Sequence, residues 1–156
     1  MNLFQMMFGE WLELLFSFRG RINRAKYWLT SLIYFIALFA LYVLFGLFFS
    51  FPTDLLGTIL IFAIPFIPII ISSIAVAIKR LHDRNKSGWW LLVFYLLPGV
   101  IDNIGAYTAV GVVFHLASLA VSIWALVELG FLRGTPGANR YGPDPLALKK
   151  VRPGAG

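Results

Sequence analysis

The side chains best suited to chemistry lie in one short segment of this sequence. Arg80, His82 and Asp83 follow one another with only Leu81 among them. His82 and Asp83 are the residue types of a general base and the acid that orients it, which is an enzyme's arrangement. Neighbouring residues on a helix, however, point about 100° apart, so these two side chains would not orient each other. Catalysis is therefore the least favoured of three interpretations.

A binding site for an anionic headgroup is the second interpretation. The guanidinium fork of arginine matches phosphate in geometry. The basic residues that could take part are Arg19, Arg21, Arg24, Lys26 and Arg80. Each basic residue near an anionic membrane surface contributes about 1 kcal/mol of attraction, so anionic phospholipid is an expected partner. Nucleic acid is not an expected partner, because the sequence carries no recognition module for it.

A structural collar of ion pairs is the third interpretation, and we favour it. Asp83 is the only acid among the bases of the 79–86 segment, and ionisable residues near a membrane are costly unless they are paired. Its candidate donors are Arg80, Arg84, Arg21 and Arg24. Trp89 and Trp90 would then begin the next helix at headgroup level, where tryptophan is enriched.

Other chemistry is not indicated. The sequence has no cysteine and only two histidines, which lie far apart. It contains no zinc-protease motif, no nucleophile elbow and no phosphate-binding loop. We therefore expect no metal, no cofactor and no enzymatic activity.

Composition places all of these residues in a membrane protein. Of the 156 residues, 60% are hydrophobic, 17% aromatic and only 13% charged, whereas a soluble domain carries roughly 25% charged residues. There are too few polar side chains to cover a surface that faces water. The prediction is an all-α membrane protein.

The distribution of apolar segments predicts four transmembrane helices, since one crossing needs about 20 apolar residues. Residues 28–49 and 55–78 contain no charged residue. The apolar region after residue 87 is too long for one crossing and is interrupted by Asp102 and Asn103, so we divide it into helices at about 88–101 and 104–132. Because 88–101 is short, a re-entrant loop is the alternative there.

Charge gives the orientation of these helices. The basic residues of 19–26, 79–86 and the C-terminal tail all fall on one side of the four-crossing arrangement. The only charged residues in the loops on the opposite side are Asp54 and Asp102. By the positive-inside rule, both termini are cytoplasmic.

Two ionisable residues stand out within the apolar helices, His115 and Glu128. His115 falls near the middle of the fourth predicted helix, on one face with Gly111, Ser118 and Ser122. That stripe indicates close helix packing with a hydrogen-bonded histidine, and a proton relay is the alternative. Glu128 lies near the cytoplasmic end and is expected to pair with a base of the collar.

The two ends of the chain differ from the membrane domain at 19–132. In residues 1–18 apolar side chains recur at spacings of three and four, which predicts an amphipathic helix in the cytoplasmic interface. Residues 133–156 are basic and rich in glycine and proline, which predicts successive tight turns in a cytoplasmic tail.

Three stretches of the sequence resemble a known family. They are Phe-Ser-Phe-Arg-Gly-Arg-Ile-Asn-Arg at 16–24, Arg-Leu-His-Asp at 80–83 with Ser-Gly-Trp-Trp at 87–90, and the Gly/Pro-rich stretch at 134–145. Together they are similar to the domain-of-unknown-function family numbered 805, over about residues 16–146. The resemblance implies a bacterial inner-membrane protein with a helical membrane fold, and it implies no activity, cofactor or catalytic residue. The sequence departs from the family pattern between Leu97 and Ala117.

The favoured function is a non-enzymatic, multi-pass module of the bacterial inner membrane that scaffolds or binds lipids or proteins. Its expected partners are anionic phospholipid, other envelope proteins or a second copy of the chain. The alternative is a small transporter or channel that uses His115 and a second helix kinked by Pro65 and Pro68.

Overall fold

The computed structural model describes residues 3–48 and 55–147. These residues form five α-helices: α1 (Leu3–Phe16), α2 (Arg24–Phe48), α3 (Leu55–Asp83), α4 (Leu97–Ala106) and α5 (Gly111–Leu126). π-Helical turns at Leu92–Leu96 and Val127–Phe131 precede α4 and follow α5. Apart from one isolated β-bridge, between Asn139 and Gly142, the described ranges contain no β-structure. The predicted all-helical class is therefore confirmed for this part of the chain.

The described residues fall into two compact units. One holds the described residues of Met1–Ser17 and Trp28–Val76, and the other those of Phe18–Tyr27 and Ala77–Gly156. In the first unit most apolar side chains of α2 face outward, whereas the polar Thr30 and Ser72 are buried. This is the reverse of a soluble protein, and it is what a helix surrounded by lipid requires.

Two helices in the described ranges are long and apolar enough to cross a bilayer, Arg24–Leu44 and Gly111–Phe131, and Leu92–Ala106 is a shorter apolar helix. α3 runs through Pro65 and Pro68 without ending. Helix α2 begins four residues earlier than the predicted span at 28–49, because Asn23 caps it: the Asn23 side-chain oxygen accepts a 2.9 Å hydrogen bond from the backbone N–H of Lys26.

The second unit has a small apolar core. Its buried members are Ala77 and Leu81 of α3, Leu91 and Phe94 of the following segment, and Leu129 of the second π-helical turn. Partly buried aromatic residues, among them Tyr27 and Trp90, pack against this core. The core fixes the end of α3 against the end of the last helix, which positions the charged residues described below.

The predicted break at Asp102 and Asn103 is wrong. Helix α4 continues through both residues, and the turn to α5 lies at 107–110. The Asp102 carboxylate is satisfied across the hairpin, where it accepts from Ser118 Oγ at 2.8 Å, so it does not need to end the helix. The turn lies where glycines permit it: a Cβ atom at Gly105 would come within 2.6 Å of Phe114 Cβ.

Two charged parts of the predicted topology fall outside the described residues. Asp54, of the predicted loop between the first two spans, is one of them. The basic end of the tail, with Lys149, Lys150 and Arg152, is the other.

Candidate functional site

Asp83, the last residue of α3, is the centre of a buried ion-pair network. Its Oδ1 accepts a hydrogen bond from Arg21 Nη2 at 3.0 Å, and its Oδ2 accepts from Arg80 Nη1 at 2.5 Å. The side chains are 4% exposed for Asp83, 1% for Arg21 and 0% for Arg80. One acid thus lies between two bases, and the excess positive charge requires further acceptors.

Backbone carbonyls at the end of the last helix supply acceptors for Arg80. Its Nε donates to the carbonyl of Leu129 at 2.7 Å, and its Nη2 donates to the carbonyl of Leu132. The last carbonyls of a helix have no partner within the helix, and they carry a partial negative charge. Arg80 therefore serves as a buried cap for that helix end.

Two further arginines complete this cap. Arg84 Nη1 donates to the carbonyl of Arg133 at 2.5 Å, and Arg24 Nη1 donates to the carbonyl of Phe131 at 3.3 Å. Arg24 is the first residue of α2, Arg80 lies in the last turn of α3, and Arg84 follows directly after α3. The cap thus joins three segments that are remote in the sequence.

Arg21 attaches the C-terminal tail to the same network. Its Nη2 donates to the carbonyl of Thr135 at 2.6 Å, and its Nη1 donates to those of Gly137 at 2.7 Å and Gly142 at 3.2 Å. The tail forms successive turns whose carbonyls converge on this one guanidinium. Thr135 adds a second attachment, because its N–H and its hydroxyl both donate to the backbone carbonyl of Asp83.

His82 faces away from the Asp83 carboxylate. Its Nδ1 lies 3.2 Å from the carbonyl of Gly20, and its ring stacks on Tyr141 with 3.8 Å between centroids. Burial lowers the pKa of His82 below its usual value, so the ring is neutral at pH 7 and Nδ1–H donates to the carbonyl. The structure thus does not bring His82 and Asp83 together as a base and its orienting acid.

The ionisation of Asp83 reflects two opposing effects. Burial raises the pKa of its carboxyl group, while the hydrogen bond from Arg21 and the positive charge of Arg80 act against that rise. Burial also lowers the pKa of Arg80. An arginine stays charged in proteins, so the network holds two cations around one carboxylate.

Glu128 forms a second cluster beside the first. It accepts from Arg84 Nε at 3.0 Å and from Lys86 Nζ at 3.1 Å. The Lys86 ammonium also lies over the rings of Trp90, at 4.8 Å from the centroid, and Trp124, at 5.7 Å. Glu128 therefore pairs with two bases of the predicted collar, and Trp90 adds a cation–π contact.

The other predicted site residues are placed differently. Arg19 and Arg24 are exposed, and so is Trp89, with 76% of its surface accessible. Arg21 and Arg80 are buried and have no surface to offer a headgroup. The predicted group thus divides into a buried network and an exposed basic surface.

His115 is not near the middle of a helix, since α5 begins at Gly111. Its Nδ1 lies 2.9 Å from Asp102 Oδ1, and the same carboxylate accepts from Ser118. His115 is therefore hydrogen-bonded to a neighbouring helix and is 62% exposed in its side chain. Within residues 3–48 and 55–147, no group of three histidine, aspartate or glutamate residues could hold a metal ion.

A cleft of about 410 Å³ opens beside the network. Its polar wall is made of Asn23, Arg24, Asp83, Arg133, Thr135 and Asp144. The sequence does not single out the three tail residues Arg133, Thr135 and Asp144 as parts of a site, although the density of glycine and proline in 134–145 predicts ordered turns there.

The segment that holds the network around Asp83 lies within a region that is similar to known proteins. The sequence matches the family described as "Protein of unknown function (DUF805)" over residues 15–143. It is 31% identical over 151 residues to the uncharacterized protein YiiR of Escherichia coli (strain K12), covering 92% of this chain and 94% of that protein. It is 32% identical over 140 residues to the inner membrane protein YhaH of that organism, covering 83% and 87%, and 31% identical over 130 residues to its inner membrane protein YhaI, covering 83% and 86%. No solved structure matches the chain.

Proposed function

This chain belongs to the DUF805 family of proteins of unknown function, and we propose that it is a non-enzymatic lipid-binding module of the bacterial inner membrane. It crosses the membrane four times, with both termini in the cytoplasm. Its cytoplasmic end is a folded polar face that recruits anionic phospholipid and serves as a platform for other envelope proteins.

The observation that carries this proposal is the network around Asp83. Every strong donor of Arg21 and Arg80 is directed at the Asp83 carboxylate or at a backbone carbonyl. Side chains used in this way position the tail and cap a helix, and they are not available to a substrate. A rigid face built by such contacts is what a binding module needs, because little conformational freedom is then lost on binding.

The membrane arrangement has several supports. The protein has apolar helices of membrane-spanning length at Arg24–Leu44 and Gly111–Phe131, as expected for a membrane protein. The apolar part of α3 and the shorter helix Leu92–Ala106 would supply the other two crossings. The relatives YhaH and YhaI are inner membrane proteins by name, and we propose the same location here.

Lipid recruitment rests on exposed bases in the segment before α2 and in its first turn. Arg19, Arg24 and Lys26 are exposed, and each base near an anionic surface contributes about 1 kcal/mol. The test is the lipid that the purified protein retains, measured by mass spectrometry. We expect phosphatidylglycerol or cardiolipin above its share of the host membrane. Retention in proportion to the host membrane would refute the proposal.

Transport is the second candidate function, and one observation favours it. Asp102 and His115 form an ionisable pair between α4 and α5, and such pairs in membrane helices occur in proton relays. Proton flux into proteoliposomes that disappears in His115→Ala would select this function. Flux that is absent from the parent protein, or unchanged in the variant, would exclude the relay.

A further inference from the structure

We propose that the cleft beside Asp83 is a specific site for a phosphate ester, and that the side chains of Arg24 and Arg133 bind the phosphate group. The proposal rests on the lipid-binding function above and deepens it by locating the site. A phosphate ester could be the headgroup of an anionic phospholipid or a soluble phosphate compound. The cleft volume of about 410 Å³ lies in the ordinary range for ligand sites, which is roughly 300–1,000 Å³.

The donors of these two arginines are available. In the described ranges, the only hydrogen bond of the Arg24 guanidinium is the 3.3 Å bond from Nη1 to the carbonyl of Phe131, which leaves Nε and Nη2. The Arg133 guanidinium has no hydrogen bond or ion pair with any described residue. Both residues are exposed. Arg21 and Arg80 differ, since they are buried and fully engaged.

The carboxylates in the cleft wall do not cancel this charge. Asp83 is compensated by Arg21 and Arg80. Asp144 accepts from the backbone N–H groups of Leu146 at 2.9 Å and Gly137 at 3.2 Å, so its oxygens are turned into the tail. With Arg21 and Arg80 included, four arginines face two aspartates around the cleft, so the net charge there is positive. An anion is therefore the ligand class that fits.

The position of the two arginines in the sequence matches the depth of lipid phosphates. Arg24 is the first residue of one apolar segment, and Arg133 follows two residues after the end of the other. Basic residues at such ends lie at headgroup level. Ala25, Pro136 and Leu146 give the cleft an apolar wall as well, which would suit the glycerol part of a lipid.

The test uses the full chain in nanodiscs of phosphatidylethanolamine doped with phosphatidylglycerol or cardiolipin. We expect Arg24→Gln combined with Arg133→Gln to weaken anionic lipid binding about tenfold or more for each arginine, because a hydrogen bond to a charged group is lost each time. The matched control is Arg19→Gln combined with Lys26→Gln, which removes the same charge from exposed positions outside the cleft wall. It should weaken binding less, and added salt should abolish its effect.

Two further measurements make the result decisive. Inorganic phosphate and glycerol phosphate are added to the parent protein, and displacement of lipid with a rise in melting temperature identifies a soluble phosphate ester as the ligand. If neither inorganic phosphate nor glycerol phosphate displaces the lipid, the ligand is the lipid headgroup. If the glutamine pair does not fold, Arg24→Lys with Arg133→Lys replaces it, and a several-fold loss is expected because lysine keeps the charge but not the fork.

The outcomes separate this proposal from the function on which it rests. Equal lipid binding by the cleft pair and the control pair, or parental binding by the lysine pair, would overturn the cleft site and leave a lipid-binding module. Absence of anionic lipid enrichment in the parent protein would overturn the lipid-binding function, and if the phosphate compounds also leave the melting temperature unchanged, the cleft site is overturned as well.

Discussion

Gly134 lies directly against the carboxylate of Asp83. A Cβ atom at Gly134 would come within 2.5 Å of Asp83 Cγ, closer than non-bonded carbon atoms can approach. The tail can therefore reach the buried ion pairs only because this residue has no side chain. The two residues are 51 positions apart in the sequence, and their contact is the point at which the tail joins the end of α3.

The first prediction concerns this contact. Gly134→Ala should destabilise the protein by about 1–3 kcal/mol, the usual cost of overpacking, because the tail must move away from Asp83. Thermal unfolding in detergent measures the effect. The control is Gly99→Ala, at a helical position with nothing within 4 Å of the added atom, which should be neutral or slightly stabilising. Equal melting of both variants would contradict this account of the tail.

The second prediction concerns Asp83 itself. Asp83→Asn leaves Arg21 and Arg80 buried without their anion, and breaking a buried pair in this way costs about 3–5 kcal/mol. Asp83→Glu keeps the charge and should cost less, and His82→Ala should also cost less than Asp83→Asn. Melting temperatures in one detergent compare the three. An Asp83→Asn protein that melts like the parent but loses its cellular phenotype would make Asp83 a ligand or reaction site instead.

The third prediction is a pH dependence of stability through His82. Its pKa is lowered in the folded protein from the usual 6.5, so the unfolded chain binds a proton more readily than the folded one. The stabilisation is fully present above about pH 6.5 and is lost as the pH falls through the folded pKa. Melting temperature should therefore decline from about pH 7.5 to pH 5 more steeply in the parent than in His82→Gln. The glutamine can still donate to the carbonyl of Gly20, but it does not titrate, so parallel curves for the two proteins would refute the role of His82.

The fourth prediction concerns the hairpin between α4 and α5. If these helices cross the membrane as proposed, a reporter fused after Thr108, in the 107–110 turn, should lie in the periplasm. Fusions after Asp54 should give the same result, and fusions after Arg84 should be cytoplasmic. A cytoplasmic result at Thr108 would instead support a re-entrant segment at 88–101.

Local features of the sequence determined the class of the protein and the approximate helices. The all-helical class, the family and the long apolar helix α2 follow from composition and short motifs. A chain with so few charged residues does not have enough polar side chains to form a surface that faces water. Asp83 was also recognisable as a residue in need of bases, because it is alone among them in its segment. These inferences depend only on residues close together in the chain.

The tertiary structure decided which partner each charged residue has. Arg21 and Arg24 are three positions apart in one basic segment, yet Arg21 is buried among carbonyls of the tail and Arg24 is exposed. The sequence predicts that Asp102 ends a helix, but hydrogen bonds across the hairpin with His115 and Ser118 satisfy its carboxylate within α4. The reason is physical: pairing energy depends on distance and burial in three dimensions, and here the partners come from segments separated by up to 121 positions.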